Sequence, residues 1–489
     1  MNQGKLMRTA CTSLIAVIGL AVWVSAQESS PPHHGRHHTY RLTDLGTLGG
    51  NNTLPVLVES VQTLSADGVV AGCSETSSPN PEYPNFNPFL YPFGQDTNIF
   101  HAYRSTNGGL WDLGTLPGGD NSCALWISDN GQVAGSSEIG VVDPLTGWPE
   151  IRAVLWRDGR MIPLGNLGGN ESFPVSVNNR AQVTGFATNS VPDDLFGFGT
   201  QVRAFLWERG VMRDLGTLGG PDAFGIVVNE QGQVLGFSLT SSGGGDAFLW
   251  QNGRMQDIPD MLGGTQINPF YLNDQGMAIG NASLADEQRF HPFLWHRGAM
   301  QDLGTFGGSN GDALWVNQTG QVVGAADLAG DTVHHAFLWQ RGRLTDLGSG
   351  PETCSAANAI NAGGQIVGFS SDCQQAHHAI LWEHGEAVDL STVTRLPPNM
   401  YLAGAQNIND RGDIVAIGVV DNAYLHTLLL TPEGECDSDC ERRIADSQSH
   451  PLPPPASAGT LPTFDTPALW PRDQFGSDHR HFKRRIAVK

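Results

Sequence analysis

Between residues 6 and 482 the chain has no lysine; its only lysines are Lys5, Lys483 and Lys489. Charge of either sign is scarce, at 16% of residues, and 27 basic against 49 acidic side chains leave a net charge of −22. A nucleic-acid binder needs a basic stripe to neutralise phosphates. Nucleic acid is therefore not an expected partner, and neither is an anionic membrane surface. Beyond the N-terminus no apolar run approaches the ~20 residues of a membrane span. Helical periodicity is missing. So are a Gly-x-Ser-x-Gly elbow, a P-loop and a His-Glu-x-x-His motif. No paired Cys-x-x-Cys spacing exists, so a cysteine metal centre is not expected. The sequence requires no cofactor, and no metal site is assigned.

What is present is glycine, 61 of 489 residues, with 29 Pro, 12 Trp and 39% apolar residues. That is too apolar for disorder. Lys5 and Arg8 precede an apolar run over 14–24, which ends in Val24-Ser25-Ala26. This reads as a signal peptide, 1–26, and as a secreted chain, extracellular or periplasmic. Residues 27–39 form a His-rich mature N-terminal tail. His33, His34, His37 and His38 in it could bind metal, but a solvated segment is the reading adopted. Export makes disulfides of Cys73, Cys123, Cys354, Cys373, Cys436 and Cys440 expected. A two-residue turn at Gly363-Gly364 would set 354 opposite 373. Cys436 and Cys440 can close a small ring, and Cys73 with Cys123 follows by elimination.

One unit recurs along nearly the whole chain. The Leu-Trp pair ends at Trp156, Trp207, Trp250, Trp295, Trp339 and Trp382, at spacings of 51, 43, 45, 44 and 43. Asp-Leu-Gly or a variant starts at Asp44, Asp112, Pro163, Asp214, Asp257, Asp302, Asp346 and Asp389, which makes eight units. Each unit has four short segments. Segment a is Met-x-Asp-Leu-Gly, b ends in apolar-Asn, c is Gln-Val-Val-Gly and d is Ala-Phe-Leu-Trp. All are β-branched or aromatic and bounded by Gly, Asn or Asp, which is strand grammar. Segment d is continuously apolar, so both its faces are expected to be buried.

Four antiparallel strands per ~44 residues, repeated in this way, predict an all-β fold, a β-propeller. Eight blades are favoured over seven plus a degenerate unit. The chain opens with a lone segment a at 40–46 and closes with a lone d at 426–430. Pairing them would complete the last blade and close the ring. The propeller spans 40–434, and 435–489 is a Cys-containing, Pro-rich and basic C-terminal tail.

His335-Ala336-Phe337-Leu-Trp, Asp302-Leu-Gly-Thr-Phe-Gly-Gly308 and Asn317-Gln-Thr-Gly-Gln-Val-Val-Gly324 resemble the HAF repeat, a family of probable extracellular repeats. The resemblance covers roughly 40–434. It departs where Arg152, Arg203 or Asp246 replaces the His, and where the first and last units lose their Trp. It implies an exported repeat protein and supplies no catalytic residues, so these stay unknown.

Strand parity places the a–b and c–d connections on one face. Long c–d loops at 75–100, 138–151 and 187–202 mark that face, near the N-terminal blades, as the functional one. Its candidate ligand contacts are Tyr83, Phe86, Phe89, Tyr91, Phe93, Trp148, Phe196 and Phe198, which could stack on sugars or anchor a protein. The alternative is a satellite core holding the loops down. Before each d segment stands a polar residue: His101, Arg152, Arg203, Asp246, His291, His335, His378 and His426. Repetition in every unit favours a structural role for this ring. The functional expectation is a binding module for a glycan or protein rather than an enzyme. A polysaccharide- or glycoconjugate-cleaving hydrolase or lyase, and a structural surface repeat, are the alternatives.

Overall fold

The computed structural model describes residues 37–55, 60–82, 85, 87, 89–90, 97–106, 109–193, 195–374 and 376–449. The expected signal peptide, most of the expected His-rich tail and the stretch beyond 449 lie outside the described residues. The repeat grammar folds as expected. Blade 4 shows the pattern: Gly219–Val228 (b), Val234–Thr240 (c), Gly245–Gln251 (d) and Arg254–Ile258 (a) pair in that order, all antiparallel. Eight such four-stranded units are present, with blades 4, 5 and 6 joined into one sheet by the parallel bridges Gly245–Gln266 and Phe290–Asn310. Segments b are innermost: Ser122–Ile127 and Ser172–Val177 are buried at every residue. Segments a are four- or five-residue rim strands in most blades, half-exposed or exposed, as at Val211–Asp214. Segment d is buried on both faces, as at Ala204, Phe205, Leu206 and Trp207.

The ring closes as the lone end segments predict. The first strand, His38–Asp44, pairs antiparallel with the last, Tyr424–Glu435, and supplies the outer strand of blade 8.

Each b strand of blades 2 to 8 carries a register shift at the same place, between Ala313 and Trp315 in blade 6 and between Pro269 and Tyr271 in blade 5. Such a bulge reverses the side-chain alternation. It lets Trp126, Tyr271 and Trp315, from blades 2, 5 and 6, meet inside the ring, with centroids 6.3 and 4.1 Å apart. Ser60 of blade 1 donates to the Leu314 carbonyl at 2.5 Å from across the ring. The bulge also presses b onto c. A Cβ at Gly324 would collide with the Asp312 carbonyl oxygen, which explains the Gly that ends Gln-Val-Val-Gly in every blade but the eighth, where Ala416 stands.

Blades are also tied by side chains. The Asn that ends each b strand donates to the carbonyl of its counterpart in the next blade, from Asn178 through Asn229, Asn273, Asn317 and Asn361 to Asn409, at 2.8–3.1 Å. Asn409 passes the chain on to the Ser65 carbonyl at 3.2 Å. Burying amides in such a ladder is tolerable because each finds its partner.

All three expected disulfides form: Cys73–Cys123 between blades 1 and 2, Cys354–Cys373, and Cys436–Cys440. The register behind Cys354–Cys373 differs from the expectation. Ile360 faces Ile366, and after a bulge at 357–359 Cys354 faces Ser371 rather than Cys373. Cys373 reaches back by adopting a left-handed φ of 71° beyond the strand.

Parts of both expected tails, His37–Thr39 and the start of 435–489, are built into the fold, and a short helix inside the propeller span receives the second. Helix α1, Leu390–Val393, starts on Asp389, which caps the Ser391 N–H. Helix α2, Ser438–Ser449, follows the Cys436–Cys440 ring and buries Ile444. Arg443 Nε donates to the Thr392 carbonyl at 3.0 Å, tying the two helices together. His37, which the sequence places in a solvated tail, is only 3% exposed because Cys436 N–H holds its carbonyl at 2.7 Å. No helix among the described residues is long and apolar enough to cross a membrane.

Candidate functional site

The expected functional face carries the c–d connections. Two of the three long loops prove to be largely strand. The c strands run on to Val142 and Pro192, and the d strands begin at Pro149 and Thr200. Val141, Val142, Ile151, Val191 and Val202 supply the β-branched residues that sustain this extension. The ribbons interlock with their neighbours. Asn85 and Asn87 of the blade 1 loop donate to the carbonyls of Gly147 and Pro149 at 3.1 and 3.0 Å. Leu145 lies against Gly199 of blade 3.

The aromatic candidates that can be placed are turned inward. Phe89 stacks on Phe198 at 4.8 Å and meets Phe173 and Phe186 edge-on at 6.5 and 6.2 Å. Phe198 is buried, and half-buried Phe196 packs edge-on against Phe224 at 4.8 Å. They form a satellite core with blades 3 and 4. Trp148 is half-buried. Tyr83, Phe86, Tyr91 and Phe93 lie outside the described residues. Exposed on this face instead are aliphatic side chains: Val141, Val142 and Leu145 on one ribbon, Val191 and Leu195 on the next, with Leu145 58% accessible. The sequence reading missed this patch because it sought aromatic side chains in what looked like loops.

Beneath the ribbons lie buried carboxylates. In five blades the second residue after Gly-Gly accepts an N–H at the start of strand d of the preceding blade. Asn121 does so from Phe100 at 3.1 Å, Asn310 from Phe290 at 3.2 Å and Asn52 from Leu425 at 2.9 Å. In blades 3 and 4 the acceptors are acids: Glu171 from Ile151 at 2.9 Å and Asp222 from Val202 at 2.7 Å. Burial drives Glu171 up to about 9, aided by the Asp143 charge, and drives Asp222 up to about 6. Glu82 of the blade 1 loop is pushed up to about 8 by burial, by the Glu138 charge beside it and by the hydrogen bond between the two carboxyls. Glu138 itself is held by the N–H and side-chain amide of Asn121 at 2.8 and 2.9 Å.

The ring of polar residues before strand d does not converge on a ligand site. Each His is engaged by the Asp of segment a in its own blade. His101–Asp112, His291–Asp302 and His335–Asp346 lie at 2.9–3.0 Å, and His378–Asp389 at 2.8 Å. His426 finds Asp44, at 2.9 Å, across the ring closure. Arg203 pairs with Asp214 at 3.1 Å. The same Asp accepts the Gly N–H two residues on, as at Gly304. Burial would raise Asp302, but His291 and the Gly304 N–H outweigh it and hold it below its ordinary value. In blade 2 Pro163 has no carboxylate to offer Arg152, which turns to Glu150 at 2.9 Å. In blade 4 Asp246 faces Asp257, and burial plus that charge raises it to about 6.

Two features escaped the sequence. On the opposite face, a cavity of about 520 Å³ between blades 1 and 2 is lined by Arg104, Trp111, Trp156, Arg157 and Arg160, among others. Trp111 stands 63% exposed at a rim-strand position where the other blades carry no aromatic side chain. At the d–a turn of blade 7, His37, Glu383 and His384 bring one potential metal ligand each within 4.8 Å of one another.

No family model and no curated protein matches the chain. Several solved structures are similar. TolB from Acinetobacter baumannii shares 10% identity over 81% of this chain and 98% of its own, with a TM-score of 0.30. A gluconolactonase from Xanthomonas campestris shares 10% over 63% and 86%, with a TM-score of 0.27. A puromycin-hydrolyzing peptidase from Mycobacterium tuberculosis shares 12% over 62% of this chain, at a TM-score of 0.39, and the match spans only 50% of the peptidase. Likeness at this level carries no argument about activity; the propeller rests on the strand pairing of the chain itself.

Proposed function

We propose that this is an exported HAF-like propeller whose interlocked ribbons on blades 2 and 3 bind a protein partner. The observation that carries this reading is the aliphatic patch of Val141, Val142, Leu145, Val191 and Leu195 on an otherwise acidic molecule. Apolar side chains grouped on an interlocked surface mark interaction sites. Sugar rings stack on aromatic faces, and Phe89, Phe196 and Phe198 point into the protein, so a protein fits better than a glycan. The signal-like N-terminus and the three disulfides support export.

The test compares the parent chain with a Val142→Asp/Leu145→Asp double variant, both immobilised. Each is exposed to secreted and surface proteins of the source culture and to an array of polysaccharides. Capture of a defined protein by the parent, lost in the variant, is expected. Polysaccharide binding that survives the double variant would overturn the assignment.

A second reading has one observation of its own. Glu82 and Glu138 come from different blades and share a hydrogen bond, an arrangement suited to general acid–base work. A polysaccharide cleavage lost in Glu138→Gln would establish it in place of the binding module.

A further inference from the structure

The d–a turn of blade 7 breaks the repeat. After the Leu-Trp pair other blades continue with Arg157-Asp-Gly-Arg160, Glu208-Arg-Gly-Val211, Gln251-Asn-Gly-Arg254, His296-Arg-Gly-Ala299 or Gln340-Arg-Gly-Arg343, whereas blade 7 has Glu383-His384-Gly-Glu386. Glu383 has a counterpart in Glu208 of blade 3, but only blade 7 among these turns puts a His at the left-handed position and an acid after the Gly, which calls for a local cause. That cause is at hand, because the N-terminal segment arrives only here.

His37 Nδ1 faces Glu383 Oε1 at 2.9 Å, and its Nε2 faces Glu386 Oε2 at 3.1 Å. The His384 ring lies 5.7 Å from the His37 ring, centroid to centroid, on a residue with a left-handed φ of 54°. The second oxygen of Glu383 accepts from Gln365 Nε2 at 2.9 Å. Both inner groups are thus oriented from behind: Glu386 takes the Nε2 proton of His37, and Gln365 fixes the Glu383 carboxylate. A carboxylate behind a ligating imidazole is the usual arrangement around protein-bound metals. His37, Glu383 and His384 each keep a ligand atom within 4.8 Å of the others, and His384 is exposed, so a fourth position is open to water.

We propose that His37, Glu383 and His384 form a binding site for a divalent transition-metal ion, with zinc the best match. Two imidazoles and one carboxylate suit a borderline-soft cation and not calcium or magnesium, which take oxygen ligands. The ion would staple the segment leading into the ring-closing strand to blade 7. It would stand beside α2, since the His37 carbonyl is held by Cys436.

The test uses the purified full chain, without a histidine tag, stripped with a chelator. Zinc chloride, cobalt chloride, calcium chloride and magnesium chloride are added separately. Metal content, cobalt absorption and Tm are measured. One zinc per chain, tetrahedral-type cobalt bands and a Tm rise of about 2–5 °C with zinc are expected. Neither calcium nor magnesium should shift Tm. His384→Asn keeps a residue that tolerates the left-handed turn, as Asn252 does in blade 4, and should melt like the stripped parent while losing the zinc response. A His33→Gln/His34→Gln variant should keep the response. Zinc retained by His384→Asn, zinc lost in the His33/His34 variant, or an equal effect of calcium would each overturn the proposal.

Discussion

The His–Asp pair is the smallest unit that explains the repeat. The His of His-Ala-Phe and the Asp of Asp-Leu-Gly stand eleven residues apart, as His335 and Asp346 do, yet touch at 3.0 Å across the d–a hairpin. Asp302, Asp112 and Asp44 are held below their ordinary values by the paired His and the Gly N–H, against the opposing effect of burial. A depressed carboxylate stabilises the fold above its unfolded pKa, and that contribution is lost as pH falls through the folded value. These carboxylates are partly exposed, so each pair contributes modestly. Blade 4 tests the idea. Asp246 and Asp257 repel, and Asp246 is raised to about 6. Asp246→His restores the pairing and is expected to stabilise by about 0.5–1 kcal/mol, read as a higher Tm at pH 7; a lower Tm would contradict the structural role of the ring.

At the scale of the element, the joint between blades decides what the buried acids do. Glu171 and Asp222 occupy the place of Asn52, Asn121 and Asn310 and receive the same N–H. Glu171 is 2% exposed, with a pKa near 9. The folded chain therefore holds a proton that the unfolded chain releases near ~4.3, so stability falls as pH rises from about 4 towards 9. Glu171→Gln removes this dependence. It is expected to stabilise by on the order of 1–3 kcal/mol at pH 8 and by much less at pH 4, seen in urea titrations at the two pH values. Equal effects at both would show that the carboxylate is ionised in place. The ribbon extensions belong to this scale as well. Residues 138–151 and 187–202 look like loops because Gly, Pro and Asp interrupt them, yet cross-strand pairing beyond the ring, Val142 with Pro149 and Pro192 with Thr200, makes them strands.

For the whole molecule, closure is the decisive event. Blade 8 takes its outer strand from His38–Asp44, and His426 takes its Asp from there too. Removing residues 1–44 leaves blade 8 with three strands, an unpaired edge and an unpartnered His426. An open edge invites association. The truncated chain is expected to lose its cooperative melting transition or to aggregate; melting at the parent temperature would show that closure contributes little.

The period of ~44 residues determined the blade, the blade count and the joining of the ends, because every contact of that kind is local or between neighbours and so is written again in each unit. His335 and Asp346 were legible for this reason. What only the tertiary structure decided are meetings between residues that share no unit. His37 and Glu383 are separated by 346 positions, and nothing in a His-rich tail names its partner. The inward turn of Phe89 and Phe198 and the contact of Trp126 with Tyr271 depend on loop packing and on a one-residue bulge. A bulge exchanges the faces of a strand without altering its pattern of apolar residues. Composition and period are blind to that reversal, and three-dimensional packing alone resolves it.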